Sequence, residues 1–143
     1  MENETTIAKY LWIIGSLIFI VLGVIHLYYT FFTDKFSSRN EKAIEEMKSS
    51  WPNLTKDTTL WKAWIGFNAS HSSGAIFIGL VNFYLATQFY DLIRSEAFFY
   101  ILNIVNTIFY LWLAKKYWFN IPFIGILSTL MCFVISFIIT RFN

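Results

Sequence analysis

Long apolar runs alternate with short polar breaks along this chain. Four runs stand out: Tyr10 to Phe32, Trp64 to Tyr90, Ala97 to Ala114 and Trp118 to Thr140. Each reaches the roughly 20 residues that an α-helix needs to cross a bilayer. The third is the shortest and would cross nearly upright, while the second has length to tilt or protrude. The pattern therefore predicts an all-α fold, a four-helix transmembrane bundle forming one integral membrane domain over residues 1–143. Tyr10, Trp12, Trp61, Trp64, Trp112 and Trp118 lie near run ends, where aromatic rings anchor at the membrane interface.

The largest polar break, residues 33–63, carries a pattern of its own. Phe36, Ala43, Ile44, Met47 and Trp51 recur at roughly helical spacing, with Glu45, Glu46 and Lys48 elsewhere on the wheel. Ser38-Arg39-Asn40-Glu41 has the form of a capping box, and Trp51-Pro52-Asn53 reads as a stop. A short amphipathic helix is expected there, lying on the membrane surface or against the mouth of the bundle. Asp57 or Thr58 is placed to cap the second span, Ser95 the third and Asn120 the fourth, with Pro122 tolerated in that last helix's first turn.

Composition strengthens the membrane reading. Hydrophobic residues make up 57% of the chain and charged ones 14%, against about 25% charged in soluble domains. A soluble protein of this size has too little interior to hide so much apolar surface. The first run does not read as a cleaved signal, because its leading segment is not basic, its core is long and no A-x-A-like site follows. Cys132 is the single cysteine, so an intrachain disulfide is excluded.

Charge sets an expected orientation. Four spans put both termini on one side with Lys9, Arg94 and Arg141. The other side holds Lys35, Arg39, Lys42, Lys48, Lys56, Lys62, Lys115 and Lys116. Basic loops stay in the cytoplasm, so the long first loop is expected inside and both termini outside.

The polar residues within the spans are the candidate chemistry. In the second span Trp64, Asn68, His71, Ile78 and Asn82 cluster on the helical wheel, while Gly66, Ser70 and Gly74 repeat every four residues as a small-residue packing stripe. Gly15, Leu22, Gly23, His26 and Thr30 share a face of the first. Asn103, Asn106, Thr107 and Tyr110 share one in the third, and Gly125, Ser128, Thr129, Cys132 and Ser136 in the fourth. By helical rise, His26 sits ~9 Å before the first span ends and His71 ~10 Å after the second begins, both counted from the cytoplasmic side. Asn106 and Ser128 or Thr129 fall at ~10–12 Å. One polar layer beneath the first loop is expected to hold them.

These groups support a bland reading, interhelical hydrogen bonding, and three sharper ones. The first is a non-catalytic module binding a small apolar ligand or a partner membrane protein, centred on His26, Asn68, His71 and Asn106 with Trp64 and Asn82 nearby. The second is a b-type haem protein with His26 and His71 as axial ligands. The third is a membrane enzyme acting on a lipid or isoprenoid, with a histidine as general acid or base and Asn68 or Asn106 polarising the substrate. A zinc site would need a third strong ligand, and a carboxylate proton relay would need an acid within a span. Neither is present in the sequence. Membrane lipids are the expected partners, nucleic acid is not, and a homo-oligomer is open.

Two segments carry a resemblance: Gly23-Val24-Ile25-His26-Leu27, and Trp61-Lys62-Ala63-Trp64-Ile65-Gly66-Phe67-Asn68-Ala69-Ser70-His71-Ser72. Together they resemble an uncharacterised family of small bacterial four-helix membrane proteins with the motifs G-x-x-H-L and W-x-x-W-x-G-F-N-x-S-H-S. The resemblance would cover nearly the whole chain. It implies a multi-pass protein of the bacterial inner membrane and marks Gly66, Phe67, Asn68, Ser70 and His71, but it carries no activity.

Overall fold

The structure, a computed structural model, describes residues 2–142. Six helices follow one another: α1 (Glu2–Phe32), α2 (Glu41–Ser49), α3 (Leu60–Gln88), α4 (Tyr90–Ser95), α5 (Ala97–Tyr117) and α6 (Asn120–Phe142). No strand occurs among the described residues. Helices α1, α5 and α6 are long and apolar enough to cross a membrane, which fits an integral membrane protein. α3 matches them in length with 29 residues, but its polar residues leave it less apolar.

Several boundaries differ from the apolar runs for identifiable reasons. α3 begins at Leu60, four residues before the apolar run, because the Thr59 hydroxyl accepts from the Lys62 amide at 3.3 Å. Asp57 and Thr58 are not the cap; Asp57 instead closes a turn with Thr55. Ser95 does not cap α5 either, since its hydroxyl turns back to the Leu92 carbonyl. The short polar break between the second and third runs, Asp91 to Glu96, is largely helix α4. Tyr90 and Ile93, three apart, both bury their side chains and hold it in place. At the start of α2 the cap is Asn40, whose side chain accepts from Lys42 N, while Ser38 accepts from Asn40 N one step earlier. Ser49 ends that helix, so Phe36 and Trp51 lie outside it. Ala43, Ile44 and Met47 still form its half-buried side, with Glu41, Lys42, Glu45, Glu46 and Lys48 exposed.

Two compact units divide the chain, with cuts inside α1 and α3. The first comprises residues 1–22 and 75–143. Its core is built on Trp12, which is fully buried with Tyr100 edge-on at 4.7 Å and Phe133 at 4.5 Å. Trp12 is thus a core residue and not an interfacial anchor. Small residues let helices approach closely in this unit. A methyl group on Gly79 would meet Ile20 Cγ1 at 2.6 Å and the Ser16 carbonyl oxygen at 2.8 Å. Ala75, Gly79, Asn82 and Ala86 are the buried positions of α3 here, at spacings of three and four. The predicted stripe of Gly66, Ser70 and Gly74 is not a packing face: a methyl group on Gly66 would meet nothing within 4 Å, and Ser70 is exposed.

Polarity is inverted relative to a soluble domain. Buried positions include Ser16, Asn82, Asn103, Thr107, Thr129 and Ser136, while large apolar side chains such as Phe77 (67%) and Ile121 (71%) face outward. Lipid is the solvent that rewards that arrangement. Most of the helix hydroxyls donate to the carbonyl one turn back in their own helix: Ser16 to Trp12, Thr30 to His26, Ser72 to Asn68, Thr107 to Asn103, Thr129 to Gly125 and Thr140 to Ser136. Other polar contacts cross between helices in the first unit. Asn82 donates to Asn103 at 2.7 Å, Ser136 to the Ala8 carbonyl at 2.8 Å, and the Tyr100 hydroxyl meets Thr140 at 3.0 Å.

Candidate functional site

The second unit, Gly23–Gly74, holds the end of α1, the first loop with α2, and the start of α3. Three predicted site residues meet within it. His26 comes from α1; Asn68 and His71 lie three apart on α3 and so share a face. His26 Nε2 is 3.0 Å from Asn68 Oδ1. The two imidazoles meet edge to face, with centroids 5.5 Å apart and planes at 71°.

Asn68 orients this contact. Its Nδ2 donates to the Trp64 carbonyl at 2.8 Å, which turns Oδ1 toward His26. An amide oxygen only accepts, so His26 Nε2 is the donor in this contact. Trp64 supplies that carbonyl, and its ring stacks on Trp61 at 5.4 Å. A turn after α1, closed by Ser37 N donating to the Asp34 carbonyl, brings Phe36 back onto the His26 ring at 4.5 Å. In the sequence Phe36 belongs only to the amphipathic stretch. The signal for its actual place is the pair of turn residues Asp34 and Ser37. Both histidines and Asn68 remain half-buried, so the cluster is shielded but not sealed.

The other predicted site residues fall in the first unit. Asn82 gives both its amide protons away, to the Ile78 carbonyl at 2.9 Å and to Asn103, and serves packing between α3 and α5. Asn106 keeps a buried Nδ2 without a hydrogen-bond partner. Thr129 donates to the Gly15 and Gly125 carbonyls, whereas Ser128 is exposed. An Asn82/Asn103 double-mutant cycle with leucine is expected to return a coupling of about 0.6–1.7 kcal/mol, the range of hydrogen bonds between spanning helices. Unfolding in mixed micelles measures it; additive single effects would remove the bond.

The chemistry open to the cluster is narrow. An axial pair for haem needs imidazoles on opposite sides of a flat macrocycle, with nitrogens facing across the iron. Here the rings touch edge to face and His26 Nε2 is held by Asn68, so the pair does not fit haem as folded. Nucleophilic catalysis needs a hydroxyl bonded to its base. Ser70, Ser72 and Thr30 instead donate to backbone carbonyls of their own helices. No group of three or more metal-ligating side chains occurs among the described residues. The cluster presents an imidazole pair and an amide, backed by aromatic rings.

No family model matches the chain, and neither the curated proteins nor the solved structures contain a significant match to it.

Proposed function

We propose that this chain is a four-span membrane protein whose His26–Asn68–His71 cluster binds a small apolar ligand carrying one hydrogen-bonding group. The observation that carries the reading is the His26–Asn68 bond, made between positions 42 residues apart and left half-buried. The packing contact between Asn82 and Asn103 is by contrast buried. α3 is taken as the fourth span on its 29 residues, about 43 Å of helix, with stacked Trp61 and Trp64 at its entry. On that reading the basic first loop is cytoplasmic and both termini lie outside. A bacterial inner membrane is the setting that the sequence motifs suggest.

Native mass spectrometry with an absorption spectrum of gently purified protein tests this. A small molecule should accompany the wild type and fall about threefold to tenfold in occupancy in Asn68→Ala and His71→Ala, the worth of one hydrogen bond. Phe77→Ala, on an outward position of α3, should leave it unchanged. Equal occupancy in all four proteins would sink the proposal. A Soret band lost in His71→Ala would replace it with the haem reading, and a His71-dependent change in lipid profile with the enzymatic one. Lower thermal stability alone would leave the cluster as interhelical bonding.

One observation favours a partner membrane protein as the second reading. Gly66 and Ser70 present a small-residue face with nothing packed on Gly66, a geometry suited to a close helix crossing. A protein that co-purifies with wild type and is lost in Gly66→Leu would select that reading.

A further inference from the structure

Between α2 and α3 the chain makes an excursion whose base is closed and whose tip is bare. The Leu60 amide donates to the Ser50 carbonyl at 3.0 Å, so the excursion leaves and returns at one place, the first residue of α3. Thr55 N donates to the Pro52 carbonyl at 3.2 Å, and Thr55 Oγ1 donates to Asp57 Oδ2 at 3.0 Å. These bonds fix the turn. Its apolar side chains nonetheless point into the surroundings: Leu54 is 94% exposed and Trp51 52%.

Neither side chain is needed by the fold around it. α2 has already placed its own apolar side, Ala43, Ile44 and Met47, in half-buried positions. The excursion carries Lys56 and Asp57, and Lys48 and Lys62 flank its base on α2 and α3, so from position 48 to 62 three lysines stand against one acid. Two of those lysines lie over indole rings, Lys56 over Trp51 and Lys48 over Trp61, each at 5.5 Å. Trp, Leu and Lys together are the side chains that partition to a lipid headgroup region: the indole at the interface, the aliphatic chain below it and the ammonium at the phosphates.

We infer that the Trp51–Lys56 tip is a membrane-surface anchor that dips into the leaflet beside α3 and prefers anionic lipid. The occupant follows from position and charge. The tip is tied to the first residue of α3, next to Trp61, so on the four-span reading it lies at the height where that helix enters the bilayer. Lys56 at the tip, with Lys48 and Lys62 flanking the base on α2 and α3, meets the negative surface that a cytoplasmic leaflet offers. Its apolar pair then supplies depth, and the closed base limits how much chain must be ordered on insertion.

The test uses the full chain in lipid nanodiscs, in a Cys132→Ser background. An environment-sensitive fluorophore is placed at Leu54→Cys and, separately, at Phe77→Cys. Emission at position 77 reports whether α3 lies in lipid, and emission at 54 whether the tip does. The expected result is a blue-shifted signal at 54, quenched more by spin labels near the headgroups than by labels deep in the acyl chains. Lys56→Gln should lower the preference for anionic over zwitterionic lipid about fivefold, the factor that one lysine near a charged surface corresponds to. High salt should weaken the same preference. Water-like emission at 54 with lipid-like emission at 77 overturns the anchor while keeping the span. Water-like emission at both overturns the span reading and the anchor with it. A label at 54 that is wet in pure lipid but shielded in native membranes also overturns the anchor, in favour of a protein partner at the tip.

Discussion

Trp12→Ala is expected to cost about 3–5 kcal/mol, the range for removing a fully buried aromatic side chain. Trp12 has no exposed surface and holds Tyr100 and Phe133 at ring-centroid distances of 4.7 and 4.5 Å. Gly15 lies beside the same Phe133 ring, so closely that a methyl there would meet Phe133 Cε1 at 2.8 Å. The surroundings are therefore packed and have little freedom to collapse into the space. In lipid the loss is one of contacts more than of water exclusion, because lipid tails are as apolar as the core. Trp12→Phe separates size from polarity. The indole Nε1 is buried without a hydrogen-bond partner, so phenylalanine removes an unsatisfied donor along with some volume. Its cost is expected to stay well below that of alanine, because the cavity is smaller and the unsatisfied donor is gone. Reversible unfolding in mixed micelles measures both. A Trp12→Ala protein as stable as the wild type would place Trp12 outside the core.

The second large effect is a contrast within one helix. Gly79→Ala is expected to destabilise by about 1–3 kcal/mol, the usual range for overpacking. Its methyl would press on the Ser16 carbonyl oxygen at 2.8 Å and the Ile20 amide nitrogen at 2.9 Å. Those are backbone atoms of α1, which cannot rotate aside, so the helices must part. Gly66→Ala makes the same chemical change where nothing lies within 4 Å. Alanine favours a helix over glycine by about 1 kcal/mol, so that variant is expected to be neutral or more stable. Equal effects at the two sites would mean that the close approach of α1 and α3 at Gly79 does not exist.

These two sites also show how far periodicity reaches and where contact takes over. Run length alone locates the long helices to within about four residues, except at the start of α1, where Glu2 lies eight residues before the run. At α3 Thr59 supplies a cap four residues upstream of the apolar boundary. The common depth of His26 and His71 is legible from the ends of the apolar runs, Phe32 and Trp64, but their meeting is not, because spacing along a helix does not fix how two helices are rotated toward each other. Measured from Leu60, His71 lies about 17 Å along its helix, and the shared depth disappears. The small-residue stripe falls on the wrong side because spacing of four describes two faces of α3 equally well. Only contact distinguishes Gly79, pressed against α1, from Gly66, which is open. Trp12 is ambiguous for a related reason: a tryptophan near the end of an apolar run suits an interface or a core. The structure decides for the core, since α1 begins at Glu2, well before the run, and buries Ala8. Asn82 shares a wheel face with His71 but is engaged by Asn103, a partner that no periodicity within α3 could reveal.

The hydroxyls closed on their own helices bear on how the chain reaches its place during synthesis. A helix whose serines and threonines are satisfied internally needs nothing from its neighbours in order to leave the translocation machinery for lipid. α1, α5 and α6 are apolar enough to do so singly. On the four-span reading α3 is different, with Asn68, His71 and Asn82 set along one rod. When it emerges, α1 is already in place and offers His26 to the leading half. The partner of the trailing half, Asn103, has yet to be translated. Until α5 arrives Asn82 has only the Ile78 carbonyl of its own helix, so on that reading its second bond, to Asn103, closes last.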